Sequence, residues 1–210
     1  MDGQNAFGYL WKIIIRNFYL HDLQRVLKFG ILSDTHDDIQ NTKKAIEVFN
    51  TLDVDCVFHA GDYIYPGMIA LFGELKRNTK FYGVRGNNDG EIIGLVAQFG
   101  KLDNAFFLNE FGRIRIESKE VGIYHGTNLQ LSEVLVESQI FDLLILGHTH
   151  KKRIEKIGKT LVLNPGPLNR GFFHPTSDDY ASIIVYDQDN TDKDDGIKQD
   201  FAKFIRINRD

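Results

Sequence analysis

The stretch Leu27-Lys-Phe-Gly-Ile-Leu-Ser33, followed at once by Asp34-Thr-His-Asp-Asp38, decides the fold. A short apolar run of this kind is typical of a strand buried on both faces, and the polar cluster after it marks the loop in which that strand ends. The next segment predicts a helix, because apolar residues recur at helical spacing at Ile39, Ala45, Ile46, Phe49 and Leu52. The domain therefore begins with a strand, a polar loop and a helix.

The same unit recurs twice further along the chain. A predicted strand at 56–59 is followed by Gly61-Asp62 and a predicted helix at 68–75, and a strand at 81–84 is followed by Gly86-Asn-Asn-Asp-Gly90. Repeated strand, loop and helix units predict a mostly parallel sheet, since each helix carries the chain back to the start of the next strand.

The second half of the chain is richer in strands. Strands are predicted at 113–116, 121–124, 143–146, 153–157, 160–163, 181–186 and 201–207, and helices only at 92–99 and 131–136. Many strands with few helices indicate an α/β fold in four αββα layers, in which two mixed sheets pack face to face with helices outside. At 210 residues and 42% apolar content, one such domain at 27–210 accounts for the chain.

Residues 1–26 form an apolar N-terminal extension. Lys12 and Arg16 interrupt its apolar run, which is too short for a membrane span and unlike a signal peptide. Helical spacing of Phe7, Leu10, Trp11, Ile14 and Phe18 predicts an amphipathic helix that packs on the domain, a neighbouring subunit or a membrane surface. The extension and exposed aromatic residues favour a homo-oligomer, and the single cysteine, Cys56, fits the cytoplasm.

Five polar clusters carry side chains of types that can bind metals, and each follows an apolar strand, where α/β folds place their ligand sites. They are Asp34-Thr-His36, Gly61-Asp62, Gly86-Asn87-Asn88-Asp89, His125-Gly126 and Gly147-His148-Thr149-His150. On an extended segment Asp34 and His36 would point to the same side, and so would His148 and His150. Carboxylate, amide and imidazole donors without a cysteine suit Mn, Fe, Co, Ni or Zn.

The order and types of these clusters resemble the calcineurin-like metallophosphoesterase superfamily, whose pattern is D-x-H, G-D, G-N-x-[DE], H and G-H-x-H. The resemblance covers about residues 27–186 and is strongest to its small single-domain phosphodiesterases. It implies two divalent metal ions, with manganese favoured. The implied ligands are Asp34, His36, Asp62 and His150 for one ion, and Asp62, Asn87, His125 and His148 for the other, with Asp62 bridging them.

The resemblance also implies the reaction, which is hydrolysis of a small or nucleotide-derived phosphodiester by a metal-bridging hydroxide that attacks phosphorus in line. Many relatives have a histidine where this chain has Asn88, and an amide cannot protonate a leaving group near pH 7. We therefore expect diesters to be preferred over alkyl monoesters. Asp89 either orients a ligand or is a plain turn carboxylate, and Arg170 either contacts a phosphate oxygen or forms a surface ion pair.

Two other functions compete with this one. A retromer subunit has the same fold with an altered metal centre and acts through protein contacts, whereas all the ligand types are present here. A nuclease would need a basic groove, and the net charge of −4 argues against one, although Lys151-Lys-Arg153 keeps the possibility open. Phe172-Phe173 and Tyr180 either line a substrate groove or belong to packing. His59, within a predicted strand, is expected either to be structural or to support a metal ligand without binding the metal itself.

Overall fold

The computed structural model describes residues 27–169, 180–188 and 201–207. The predicted N-terminal helix, Arg170 and the pair Phe172-Phe173 lie outside these ranges. The described strands are β1 (Lys28–Leu32), β2 (Cys56–His59), β3 (Lys80–Gly83), β4 (Ala105–Phe107), β5 (Phe111–Ile116), β6 (Lys119–Tyr124), β7 (Leu143–Ile145), β8 (Arg153–Ile157), β9 (Thr160–Asn164), β10 (Ser182–Asp187) and β11 (Phe201–Arg206). The described helices are α1 (Ile39–Leu52), a 3₁₀ helix (Pro66–Glu74), α2 (Ile92–Phe99) and α3 (Leu129–Glu137).

The strands form two mixed sheets, as predicted. The first sheet has the order β11-β10-β1-β2-β3-β4; β1 to β4 run parallel, and β10 and β11 add antiparallel neighbours. The second sheet has the order β5-β6-β7-β9-β8, with a parallel centre and antiparallel edges. Residues 157–160 close the predicted hairpin between β8 and β9.

Side-chain alternation along the strands builds three apolar layers. In β1, Phe29 and Ile31 join a core between the two sheets, while Leu32 joins the core under α1, α2 and the 3₁₀ helix. In β7, Ile145 faces the first sheet and Leu144 lies under α3. Because both faces of these strands are buried, their sequences are continuously apolar. The result is the predicted αββα sandwich.

Three details of the fold differ from the sequence-based expectation. The 3₁₀ helix replaces an expected ordinary helix, and the short edge strand β4 was not predicted. Ile39 is exposed in the first turn of α1, whereas Asn41 and Thr42 are buried there. The reason is hydrogen bonding, since Asn41 Nδ2 donates to the distant Leu168 carbonyl at 2.8 Å and Thr42 Oγ1 donates to the neighbouring Asp38 carbonyl at 2.7 Å.

None of the helices in the described ranges is long and apolar enough to cross a membrane. Cys56 is buried in β2, as its apolar neighbours predict.

Candidate metal centre

All seven predicted metal ligands lie in loops that follow strands, on the edge where the parallel strands of both sheets end. Asp34 and His36 follow β1, Asp62 follows β2, Asn87 follows β3, His125 follows β6, and His148 and His150 follow β7. The face-to-face packing of the sheets therefore brings together side chains that are up to 116 residues apart, which is the separation from position 34 to position 150.

A first group consists of Asp34, His36 and His150. Asp34 Oδ1 lies 3.2 Å from His150 Nε2 and 3.7 Å from His36 Nε2, and the two imidazole nitrogens are 3.4 Å apart. Asp34 Oδ1 is buried and accepts no hydrogen bond from any described residue. A buried carboxylate oxygen that faces two imidazole nitrogens and lacks a donor fits a bound cation.

A second group consists of Asp34, Asp62 and His125. The Ala60 carbonyl lies 2.7 Å from His125 Nδ1, so Nδ1 carries the proton and Nε2 is free to act as a ligand. That Nε2 lies 3.3 Å from Asp62 Oδ2 and 3.0 Å from Asn87 Oδ1. A carboxylate oxygen, an imidazole nitrogen and an amide oxygen therefore converge here, and this set of donors fits a second cation.

The two groups adjoin each other and share Asp34. Asp62 also lies between them, because its Oδ2 is 3.7 Å from His36 Nε2 and 3.3 Å from His125 Nε2. His148 is in neither group; its ring centroid is 5.2 Å from that of His125, and its backbone N–H donates to Asp34 Oδ2 at 3.2 Å. The geometry therefore clusters six of the predicted ligands tightly, with His148 beside them.

The electrostatics of the site favour cations. Although burial opposes it, the imidazoles of His150 and His36 hold the pKa of Asp34 below its usual value. Asp34 in turn raises the pKa of His36, and Asp62 raises that of His125 against the effect of burial. The carboxylates are therefore ionised, and protons and metal ions compete for the same imidazole nitrogens.

The loops do not have the extended backbone that the sequence interpretation assumed. The backbone torsion φ is positive at five of the predicted ligands, namely Asp34, His36, Asp62, His148 and His150, with values between 39° and 64°. The expectation that alternation along an extended segment brings Asp34 and His36 together is therefore wrong. Left-handed conformations cost about 1–2 kcal/mol per residue, and cross-loop hydrogen bonds hold them here. Asp34 N–H donates to the Gly61 carbonyl at 3.0 Å, and His36 N–H to the Asp62 carbonyl at 3.1 Å.

Comparison with known proteins identifies the family to which these residues belong. Residues 27–190 match the profile of the calcineurin-like phosphoesterase superfamily domain. The chain belongs to this superfamily. It is 36% identical over 140 residues to a phosphodiesterase of Methanocaldococcus jannaschii, an overlap that covers 67% of this chain and 83% of the relative. The chain is a metal-dependent phosphoesterase.

Solved structures agree with this assignment. The structure of an archaeal phosphodiesterase superimposes with a TM-score of 0.70 and 30% identity, covering 85% of this chain and all of that one. The vacuolar protein sorting 29 protein of Cryptosporidium parvum superimposes with a TM-score of 0.58 at 20% identity, covering 86% of this chain and 98% of that one. The second likeness concerns the fold alone.

Two glycines allow the second and third loops of the phosphoesterase to touch. Gly61 has a φ of 96°, and a Cβ there would lie 2.6 Å from the Gly86 nitrogen. A Cβ on Gly86 would lie 2.6 Å from the Asp62 nitrogen and would also strike the Asp62 carboxylate. Any side chain at either position would separate Asp62 from Asn87.

Asp89 is not a plain turn carboxylate, because it organises the loop that carries Asp62. Its two oxygens accept four backbone N–H groups, from Asp62, Tyr63, Ile64 and Gly86, at 2.7–2.9 Å. Asn88 contacts Asp62 directly, since its backbone N–H and its Nδ2 donate to the two carboxylate oxygens at 2.9 and 2.8 Å. Both residues therefore orient Asp62.

Two further asparagines were not predicted to support the site. Asn164 Nδ2 donates to the Gly147 carbonyl at 2.8 Å and so fixes the loop that carries His148. Asn169 Nδ2 donates to the His36 carbonyl at 2.7 Å.

Tyr180 is half-buried and packs against Lys152, whose Nζ lies 3.3 Å from the ring centroid. Tyr180 therefore belongs to a packing contact in the described part of the chain.

His59 is buried under the metal loops, as predicted for a strand histidine. Its Nδ1 accepts a hydrogen bond from the Gly61 N–H at 3.0 Å, its Nε2 lies 3.2 Å from Thr35 Oγ1, and its ring stacks on Tyr63. Burial lowers the pKa of His59 from 6.5 to about 3. His59 is therefore neutral in the folded protein at any pH at which the enzyme would work.

We expect His59 to make the folded state acid-sensitive. Since its folded pKa lies below its unfolded value, its stabilising effect is complete above about pH 6.5 and is lost as pH falls towards 3. The free energy of unfolding of metal-free protein can be measured in urea between pH 6.5 and 4.5. As pH falls, it should decrease by about 1.4 kcal/mol per pH unit more in wild type than in His59→Asn. Asparagine at 59 keeps an acceptor for Gly61 without titrating. Parallel pH profiles in the two proteins would contradict the buried neutral imidazole.

Proposed function

We propose that this phosphoesterase hydrolyses small or nucleotide-derived phosphodiesters at a centre of two divalent cations. The observation that carries the proposal is the pair of adjoining donor groups, with Asp62 Oδ2 within 3.7 Å of a histidine nitrogen from each group. The proposed ligands are Asp34, His36, Asp62 and His150 for one cation, and Asp62, Asn87, His125 and His148 for the other. The closeness of Asp62 Oδ2 to both His36 and His125 supports its bridging role.

The bound cations would polarise the phosphate and make a water molecule acidic enough to attack phosphorus at neutral pH. The protein's own residues hold the donors in place before substrate arrives. Asn88 fixes both oxygens of Asp62, and the Ala60 carbonyl fixes the tautomer of His125. Pre-organisation of this kind avoids reorganisation during the reaction.

The nature of the donors supports the choice of metal. Imidazole nitrogens together with carboxylate and amide oxygens suit Mn, Ni, Zn, Fe or Co, and we propose Mn. The only thiol in the chain is that of Cys56, which is buried in β2. No thiolate therefore contributes to the set, unlike the cysteine-rich sites of structural zinc.

The side chain at position 88 supports a diester substrate. Asn88 is committed to Asp62 and cannot donate a proton to a departing alkoxide near pH 7. Diesters with acidic leaving groups need no such proton, and the archaeal relative is named a phosphodiesterase. The scaffold alternative is weaker, because every donor expected of a metal centre is present and clustered here.

We also propose that residues 27–210 form the catalytic domain, that residues 1–26 extend it, and that the enzyme works in the cytoplasm as a homo-oligomer. Exposed apolar side chains support self-association. Ile93 and Val96 on α2 are 83% and 53% exposed, and Val134 on α3 is 58% exposed.

The test compares bis-p-nitrophenyl phosphate with p-nitrophenyl phosphate, using metal-stripped protein restored with Mn²⁺, Ni²⁺, Zn²⁺ or Mg²⁺. We expect metal-dependent cleavage of the diester, at least about tenfold faster than that of the monoester, which corresponds to about 1.4 kcal/mol. His148→Ala should lower this rate by about 10²-fold or more. His21→Ala, which removes a histidine outside the ligand set, is the control. Inactivity with all four metals would favour the scaffold.

A further inference from the structure

A groove of about 650 Å³ lies on the outer side of the second sheet, between α3 and the segment that leads into β8. Its floor and one edge are apolar, formed by Leu129, Val136, Leu146 and Ile157. Val136 and Leu146 are buried members of the apolar layer under α3, whereas Leu129 is 56% exposed. The groove is therefore the open margin of that layer, where α3 does not cover the sheet.

The groove begins at the metal loops. Gly126 and Gly147, which line it, directly follow and precede the proposed ligands His125 and His148 in sequence, and Thr149 continues the wall. Gly147 also borders the other side of the site, because a Cβ there would lie 3.0 Å from Asp34 Oδ2. A group attached to a phosphate at the metal centre thus has the groove beside it.

The charges along the groove have both signs. Lys151, Lys152 and Arg153 lie on the side of β8, and Glu133 and Glu137 lie on the side of α3. No carboxylate of the described residues forms an ion pair with Lys151, whereas Arg153 pairs with Glu155 at 2.7 Å. An acidic wall repels a strand of phosphates, so this groove does not suit a nucleic-acid polymer. It suits a flat group with hydrogen-bond donors and acceptors at its edge.

We infer that the groove binds the nucleoside that stays attached to phosphorus during hydrolysis of a nucleotide-derived diester. The inference rests on the proposed function and specifies its substrate. A volume of about 650 Å³ is ample for a base and a sugar, since sites for small molecules span roughly 300–1,000 Å³. The apolar floor contacts the face of the base. Binding energy from such a non-reacting group is available to position the phosphate.

The retained group is a better occupant of the groove than the leaving group is, for a chemical reason. Asn88 supplies no proton, so the departure of the leaving group depends on its own acidity and not on a protein contact. Contacts to the retained group persist from substrate to transition state and hold the phosphate over the metal loops. Leu129 is an exposed apolar residue that lines the groove, and it is therefore a specificity-determining residue.

The test uses two esters with the same leaving group, thymidine 5′-(p-nitrophenyl phosphate) and methyl p-nitrophenyl phosphate. Both carry one negative charge, so only the retained group differs. We expect Leu129→Glu to raise KM for the thymidine ester about tenfold, with kcat and the methyl ester little changed. Glutamate suits the first turn of α3, where it favours the helix. Leu131→Glu adds the same charge on the same helix outside the groove and should change neither ester.

Each outcome bears on the inference. An equal rise in KM for both esters would place the leaving group in the groove and would overturn the inference that the groove binds the retained nucleoside. An unchanged KM for the thymidine ester would overturn it as well. In both cases cleavage of the methyl ester by wild type would leave the proposed function standing. Failure of wild type to cleave either ester would overturn the proposed function and this inference with it.

Discussion

Asp62→Asn is expected to lower kcat for diester hydrolysis by about 10³-fold, which corresponds to about 4 kcal/mol of transition-state stabilisation. Asp62 is the carboxylate that lies between His36 and His125, and its φ of 62° is one that asparagine adopts readily. The substitution therefore keeps the backbone and removes the charge. The amide of the introduced asparagine would also place a donor against the Asn88 donor Nδ2 and would disturb the contact that orients residue 62.

The measurement is kcat against bis-p-nitrophenyl phosphate at saturating Mn²⁺, together with the metal content of the purified protein. We expect about two ions per wild-type chain and fewer in Asp62→Asn. Asp37→Asn is the matched control, because Asp37 lies in the first metal loop and also has a positive φ. Its side chain is exposed, and its Oδ1 accepts a hydrogen bond from the Tyr65 N–H instead of facing the proposed ligands. Full activity in Asp62→Asn would show that the carboxylate does not hold a catalytic metal.

The residues of the site could be predicted from sequence because each lies directly after a strand whose apolar pattern is local. Asp34 comes after a strand that is buried on both faces, and His148 comes after another such strand. Because these are parallel strands, which end at the same edge of the fold, the two side chains are expected at that edge. The same local signals located every strand longer than three residues. They also located β7, whose three residues are all buried and apolar, but they missed β4, which is equally short and has no buried residue.

The contacts that shape the loops could not be predicted, since they join residues distant in sequence. Asn169 supports His36 from 133 residues away, and nothing in the local pattern of either residue indicates the pairing. The left-handed backbone at Asp34 and His148 is likewise imposed by neighbouring loops, because an isolated chain favours extended geometry there. Sequence thus indicated which side chains meet, and the structure shows the loop geometry by which they meet.

Asp89→Asn is expected to destabilise the fold by about 3 kcal/mol or more, a fall in Tm of about 6–12 °C. Each oxygen of Asp89 accepts two backbone N–H groups, so an amide nitrogen in place of either oxygen faces two donors and leaves both unpaired. Burial raises the pKa of Asp89 above its usual value, and the N–H groups of Gly86, Ile64 and Asp62 oppose this rise, so the carboxylate depends on its donors. Unfolding in urea at pH 7.5 measures the loss, with the exposed Glu91→Gln as control.

The effect of Asp89→Asn on activity should come through the metal loop. Asp89 holds Ile64 at a φ of 72°, a left-handed conformation that is costly for a β-branched residue, and it fixes the N–H of Asp62 at the same time. Once this carboxylate is lost, the loop can relax and Asp62 moves away from His125. We therefore expect weaker Mn²⁺ affinity, with much of kcat restored at raised Mn²⁺, in contrast to Asp62→Asn, whose deficit should persist. A destabilised variant with unchanged Mn²⁺ affinity would show that Asp89 supports the fold alone and does not position Asp62.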